Sequence, residues 1–161
     1  MHPRSPALRH DPPTPEERVA LAETLCSARG VQLTSVRRRV LLTLWQHGRP
    51  AGAYELMDRL RPGDSARVAP PTVYRALAFL IDQKLVSRIQ SRNAYVPCAH
   101  PERPHDCLFF LCTSCGVARE LEDQQLEQRL ARHARTLGFV ATQRIVEVEG
   151  LCPRCSGAED A

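Results

Sequence analysis

Two Cys-x2-Cys pairs, Cys112/Cys115 and Cys152/Cys155, stand 36 residues apart in this chain of 161 residues. Two intervening residues let both thiolates of a pair turn onto one cation from a tight knuckle. Two knuckles complete the tetrahedral four-sulfur shell that zinc favours. Such a shell has no open position, so its chemistry is to hold a fold together rather than to activate a substrate. A second group, Cys98, His100, His105 and Cys107, lies ahead of the first knuckle, with Glu120 just beyond it. Mixed sulfur, imidazole and carboxylate donors make a weaker, more exchangeable site, and a thiolate among them selects zinc over manganese or magnesium. Placed between two halves of a chain, a cation there can set the angle between them. The seventh cysteine, Cys26, falls on an apolar stripe and reads as a core residue.

An enzyme with these residues is conceivable. His100-Pro101-Glu102 with Cys152-x2-Cys155 superficially matches the zinc nucleobase deaminases, in which the Glu is the general acid and base. Three features oppose it: Leu151 rather than proline precedes Cys152, Pro101 and Pro104 disfavour the helical start, and Cys112/Cys115 would have no role. The expectation is therefore no catalytic residue, no small-molecule substrate and no enzyme. A structural zinc-ribbon adaptor that binds protein would explain the cysteines but leave the front half idle.

That front half is basic. Residues 1–95 hold 15 Lys and Arg against 8 Asp and Glu, and residues 96–161 hold 7 against 10, as expected of a front that meets a polyanion and a rear with another task. No run approaches the roughly 20 apolar residues of a membrane span, and the N-terminus lacks the apolar stretch of a secretory signal. The expected location is the cytoplasm, where paired cysteines serve as metal ligands more often than as disulfides.

The elements that must position these residues can be read in order. Residues 1–13 carry four prolines and no apolar period, as in a disordered lead. Thr14-Pro15-Glu16-Glu17 is a capping-box helix start, followed by Leu21, Ala22, Leu25 and Cys26 at helical spacing until Gly30. A second helix from Thr34 or Ser35 to Gly48 carries Val36, Val40, Leu41, Leu44 and Trp45 on one face. A third spans residues 53–60, and Pro70-Pro71-Thr72 opens a fourth through residue 83, with Val73, Leu77, Leu80 and Ile81 buried. Strands at 85–90 and 94–96 flank the turn Ser91-Arg92-Asn93. Short helices and a basic hairpin fit either a generic helical bundle with solvated arginines or a winged helix-turn-helix, in which the fourth helix offers Arg75 to a guanine edge and the hairpin offers Arg88 and Arg92 to phosphate. Beyond it, strands at 108–111 and 117–121, a helix at 124–137 and a strand within 139–149 form a small α+β unit that needs a staple or a partner. The division expected is a lead (1–13), a basic front domain (14–97), a junction with the mixed donors (98–107) and the small α+β unit (108–161).

The run Pro70-Pro71-Thr72-Val73-Tyr74-Arg75-Ala76-Leu77, then Tyr95-Val96-x-Cys98, Cys112-x2-Cys115-Gly116 and Gly150-Leu151-Cys152-x2-Cys155 resembles the ferric uptake regulator superfamily, and within it the zinc uptake regulators. The resemblance covers about residues 15–156. It implies an α+β chain with an N-terminal winged-helix DNA-binding domain (14–97), a hinge with sensing ligands (98–107) and a C-terminal α/β dimerisation domain (108–161). It further implies a homodimer that, loaded with zinc, binds an AT-rich inverted repeat in double-stranded DNA and represses zinc-acquisition genes. Carried over by position, it assigns a structural zinc to Cys112, Cys115, Cys152 and Cys155, a regulatory zinc to Cys98, His105 and Glu120, and DNA contacts to Tyr54, Thr72, Tyr74 and Arg75. Where the family places a fourth sensing ligand, His or Asp, this chain has Ser87, a poor zinc ligand at neutral pH. Either water completes that site or His100 or Cys107 substitutes, with His100 slightly favoured. A family regulator responding to another metal is the alternative, which the softness of Cys98 disfavours.

Overall fold

The computed structural model describes residues 12–60, 68–103, 108–141 and 144–157, and no described helix is long and apolar enough to cross a membrane. The expected lead at 1–13 and the loop holding Pro62 and Gly63 fall almost wholly outside the described residues. Helix α1 (Pro15–Ala28) starts on the expected capping box: the Glu17 amide donates to the Thr14 hydroxyl, and the Thr14 amide donates to the Glu17 carboxylate. Its buried face is Val19, Ala22 and Cys26, so the stripe runs through Val19 rather than through Leu21, which is exposed. Helix α2 (Ser35–His47) buries Val40, Leu41 and Leu44 and ends at Gly48, whose φ of 69° is the left-handed turn a side chain resists. Helices α3 (Ala53–Arg59) and α4 (Pro70–Asp82) follow, and α4 buries Val73, Ala76, Leu77 and Leu80, with Ile81 only half-buried.

The expected hairpin is present as β2 (Val86–Ile89) and β3 (Ala94–Pro97), in register from Val86 opposite Pro97 to Ile89 opposite Ala94. Asn93 closes the turn with φ 45°, a conformation its short amide side chain tolerates. A two-residue strand, β1 (Ala51–Gly52), adds to the other side of β3. With α1 to α4 it completes a winged helix whose apolar core runs from Val19 through Leu44, Leu56 and Leu80 to Tyr95.

The second sheet has the order β5-β4-β6. Strand β4 (Leu108–Cys112) pairs antiparallel with β5 (Ala118–Leu121) and parallel with β6 (Val146–Gly150), the connection passing through α5 (Gln124–Thr136). A parallel neighbour demands such a crossover. Asp123 caps α5 through the amides of Gln125 and Leu126, yet no residue of α5 is buried. A smaller apolar cluster joins the two sheets: Ile89, Phe109 and Leu111 are buried together, with Val96 and Ala118 packed against them. The hairpin therefore rests on the second sheet rather than standing free.

Candidate metal centre and nucleic-acid face

The four paired cysteines meet because β4 and β6 run side by side. Cys112, the last residue of β4, lies opposite Gly150, the last of β6, and the Thr113 amide donates to the Gly150 carbonyl at 2.8 Å. Each strand then turns at once into a knuckle. The first closes with the Gly116 amide on the Cys112 carbonyl at 3.1 Å, a turn completed by φ 76° at Gly116. The second is one turn of helix, α6 (Pro153–Ser156), capped by Cys152, with the Cys155 amide on the Cys152 carbonyl at 2.9 Å. All four sulfurs lie within 4.8 Å of one another, and the Cys115 and Cys152 sulfurs are 3.7 Å apart. Zinc–sulfur bonds of about 2.3 Å in a tetrahedron require sulfurs about 3.8 Å apart, so the donor set fits that ion with a closure of about 1 Å at most.

The electrostatics suit a cation. The Cys115 and Cys152 amides point at the Cys112 sulfur from 3.5 Å and 3.4 Å, and these bonds lower its pKa to about 6 despite its burial. Cys152 is also lowered, chiefly by the Cys155 amide. At Cys155 the Ser114 side chain acts to lower the pKa, but the neighbouring Cys152 and Cys115 sulfurs outweigh it and push the thiol up to about 11. Without a cation to share, thiolates crowded this closely cannot all ionise.

A second meeting point lies at the seam between the sheets. Cys98, only 3% exposed, holds its sulfur 3.8 Å from a Glu120 carboxylate oxygen, and the other oxygen accepts the Ala99 amide at 3.1 Å. Glu120 reaches there from β5, opposite Phe109. His105 and Cys107 lie outside the described residues. His100, favoured from sequence as a further ligand, has its Nδ1 3.3 Å from Glu102 on its own loop. Among the described residues no third cysteine, histidine or carboxylate completes a cluster with Cys98 and Glu120. Ser87 lies on β2, half-buried and opposite Val96.

On the nucleic-acid side, Tyr54 is 76% exposed at the start of α3, Tyr74 and Arg75 are exposed on α4, and Thr72 is half-buried in its first turn. Buried Val73, Ala76 and Leu77 anchor α4 behind them. Arg88 is exposed and donates to the Asn93 amide oxygen at 2.6 Å. Arg92 makes bonds that the sequence did not suggest. Its half-buried guanidinium donates to the Cys112 carbonyl at 3.0 Å and the Gly116 carbonyl at 3.5 Å, because the hairpin tip is docked on the second sheet.

Two arginines that sequence reasoning passed over also shape the seam. Arg18 sits over the Trp45 ring and donates to the Ala99 carbonyl at 2.6 Å, while Arg29 donates to the carbonyls of Gln83 and Pro101. Both tie the segment after Cys98 to α1. Backbone carbonyls carry no sequence signature, so nothing in the pattern of residues announced either contact.

The model for the Ferric uptake regulator family matches residues 28–149. The zinc uptake regulation protein of Escherichia coli (strain K12) is 36% identical over 147 residues, which span 91% of this chain and 85% of that relative. A zinc uptake regulator complexed with zinc and DNA superposes with a TM-score of 0.85 at 36% identity, covering 90% of this chain and 97% of that one. Holo XcZur, 42% identical, superposes at 0.80 over 87% of this chain and 97% of that one, whereas its apo form gives 0.52 over similar shares of 88% and 97%.

Proposed function

Because the chain belongs to the ferric uptake regulator family, we propose that it is a zinc-responsive transcriptional repressor acting as a homodimer on AT-rich inverted-repeat operators of zinc-acquisition genes. The observation that carries this reading is the pairing of Cys98 with Glu120 across the seam between the winged helix and the second sheet. A soft sulfur there favours zinc over harder cations, and donors drawn from both sides make the angle of the seam depend on occupancy. The overall likeness to a zinc- and DNA-bound relative supports the same reading.

The structural zinc belongs to Cys112, Cys115, Cys152 and Cys155, and the regulatory zinc to Cys98 and Glu120 with His105 as third ligand. When bound, zinc would supply a positive centre that these thiolate, imidazole and carboxylate donors share. The protein does the rest. Arg18 and Arg29 hold the segment after Cys98 on α1, so movement at Cys98 is delivered to the whole winged helix. Arg75 reaches a base edge in the major groove, and Tyr54, Thr72, Tyr74 and Arg88 fix the register on the backbone. Phe110, Leu121, Val148 and Leu151 line one open face of the second sheet, an apolar surface that a second copy covers. Such a regulator works in the cytoplasm.

The test is anisotropy of an AT-rich inverted-repeat duplex against buffered free zinc, iron(II) and manganese(II), with metal content measured alongside. Activation by zinc, as content rises from about one to about two per chain, is the expected result. Binding without metal dependence would remove the sensor, and activation by iron(II) or manganese(II) instead would make the chain a regulator of another metal. Cys98→Ser is expected to abolish the zinc response while the dimer persists.

A further inference from the structure

The hairpin tip is held by groups that the repressor reading does not use. Glu147 on β6 accepts the Gln90 amide at 2.6 Å and the Ser91 amide at 3.1 Å, one carboxylate oxygen to each. A carboxylate bridging two successive backbone amides fixes the orientation of a turn as well as its distance. One residue on, Arg92 spans the Cys112 and Gly116 carbonyls, with the Glu149 carboxylate 3.8 Å away. Those two carbonyls are the ends of the first cysteine knuckle, and they stand at this spacing because the Gly116 amide closes the turn onto Cys112. Beneath the polar contacts, Ile89 is fully buried against Phe109 and Leu111.

We propose that Glu147 and Arg92 lock the wing onto the four-cysteine knuckle, so that both are positioning residues for DNA binding and the knuckle sets the pose of the wing as well as the fold around it. The proposal rests on the repressor reading and extends it to residues outside the sensing site. Arg92 is then no phosphate contact. Its charge is consumed within the protein, and the exposed Arg88 is left as the hairpin's cation toward DNA. A knuckle that loses its shape would release the wing even with the winged helix itself intact.

The experiment compares the full-length, zinc-loaded protein with Glu147→Gln and Arg92→Ala. Anisotropy on an AT-rich inverted-repeat duplex is measured at several salt concentrations, together with metal content and amide hydrogen exchange. Glu147→Gln keeps its shape but loses its charge, and it is expected to speed exchange at Gln90 and Ser91 while leaving Val40 and Leu44 unchanged. If wing docking then falls to about a tenth of the population, the operator Kd rises about tenfold with zinc content and salt slope unaltered. Arg92→Ala is expected to do the same. A reduction of the salt slope by about one in Arg92→Ala, with wing exchange unchanged, would make Arg92 a phosphate contact and overturn the lock. Unchanged Kd in Glu147→Gln, or faster exchange throughout α1 to α4, would overturn it equally. If the wild-type protein shows no zinc-dependent binding, the repressor reading fails, and exchange at Gln90 and Ser91 still decides whether the lock exists.

Discussion

Truncating Ile89 to alanine tests whether the wing and the second sheet are one packed body. The side chain is fully buried, and its partners Phe109 and Leu111 belong to the other sheet. The change deletes three carbons, which at about 0.8 kcal/mol per buried CH2 is about 2.4 kcal/mol. The cluster is small, so its walls can partly collapse, and the cavity adds little; about 3 kcal/mol in all is expected, within the range for such deletions. Urea unfolding of the zinc-loaded dimer measures it, with an unchanged m-value as the sign that only stability moved. The decisive quantity is the coupling with Phe109→Ala. Residues in contact share a cavity, so the double variant should depart from additivity by about 1 kcal/mol or more. Additivity to within about 0.3 kcal/mol would mean that the two side chains do not meet and would refute the docked wing.

Arg75→Ala is expected to weaken operator binding by about 1–3 kcal/mol with metal content unchanged, as titration of duplex against protein would report. Cys112→Ser should lose the structural zinc and unfold the second sheet, seen as lost chemical-shift dispersion there; a well-folded dimer would contradict the assignment. Acid should loosen the wing. Burial raises the Glu147 pKa, but bonds from Ser91 and the Gln90 and Ser91 amides outweigh it, so the net shift is downward from 4.5. A depressed carboxylate contributes stability fully above its unfolded value and loses it as pH falls through the folded one. Exchange at Gln90 and Ser91 should therefore depart from the intrinsic acid trend only below about pH 4.5.

Local chemistry was legible from the residues. Thr14 and Pro15 marked the start of α1, Gly48 the end of α2, and the Cys-x2-Cys pairs a common centre that the backbone then delivers. Each of these signals acts within a few residues of itself. What could not be read depends on segments far apart in the chain. Two residues of β1 carry no period, and the parallel neighbour of β4 is chosen by where α5 returns the chain. Arg92 has the composition of a phosphate contact, and only the docked position of the hairpin turns it inward. Leu21 failed as a core residue because Val19 shifts the buried face of α1 around its axis.

The parallel pairing of β4 with β6 also bears on synthesis. Cys112 and Cys115 emerge from the ribosome early, but their partners follow only after the whole crossover through α5, at Cys152 and Cys155. The winged helix, complete by Pro97, can fold while the rest is being made, since domains fold as units from the N-terminus during translation. A nascent or truncated chain would thus own a reading head without the frame that aims it. The four-sulfur cluster is complete only once Cys155, six residues from the end of the 161, has been added.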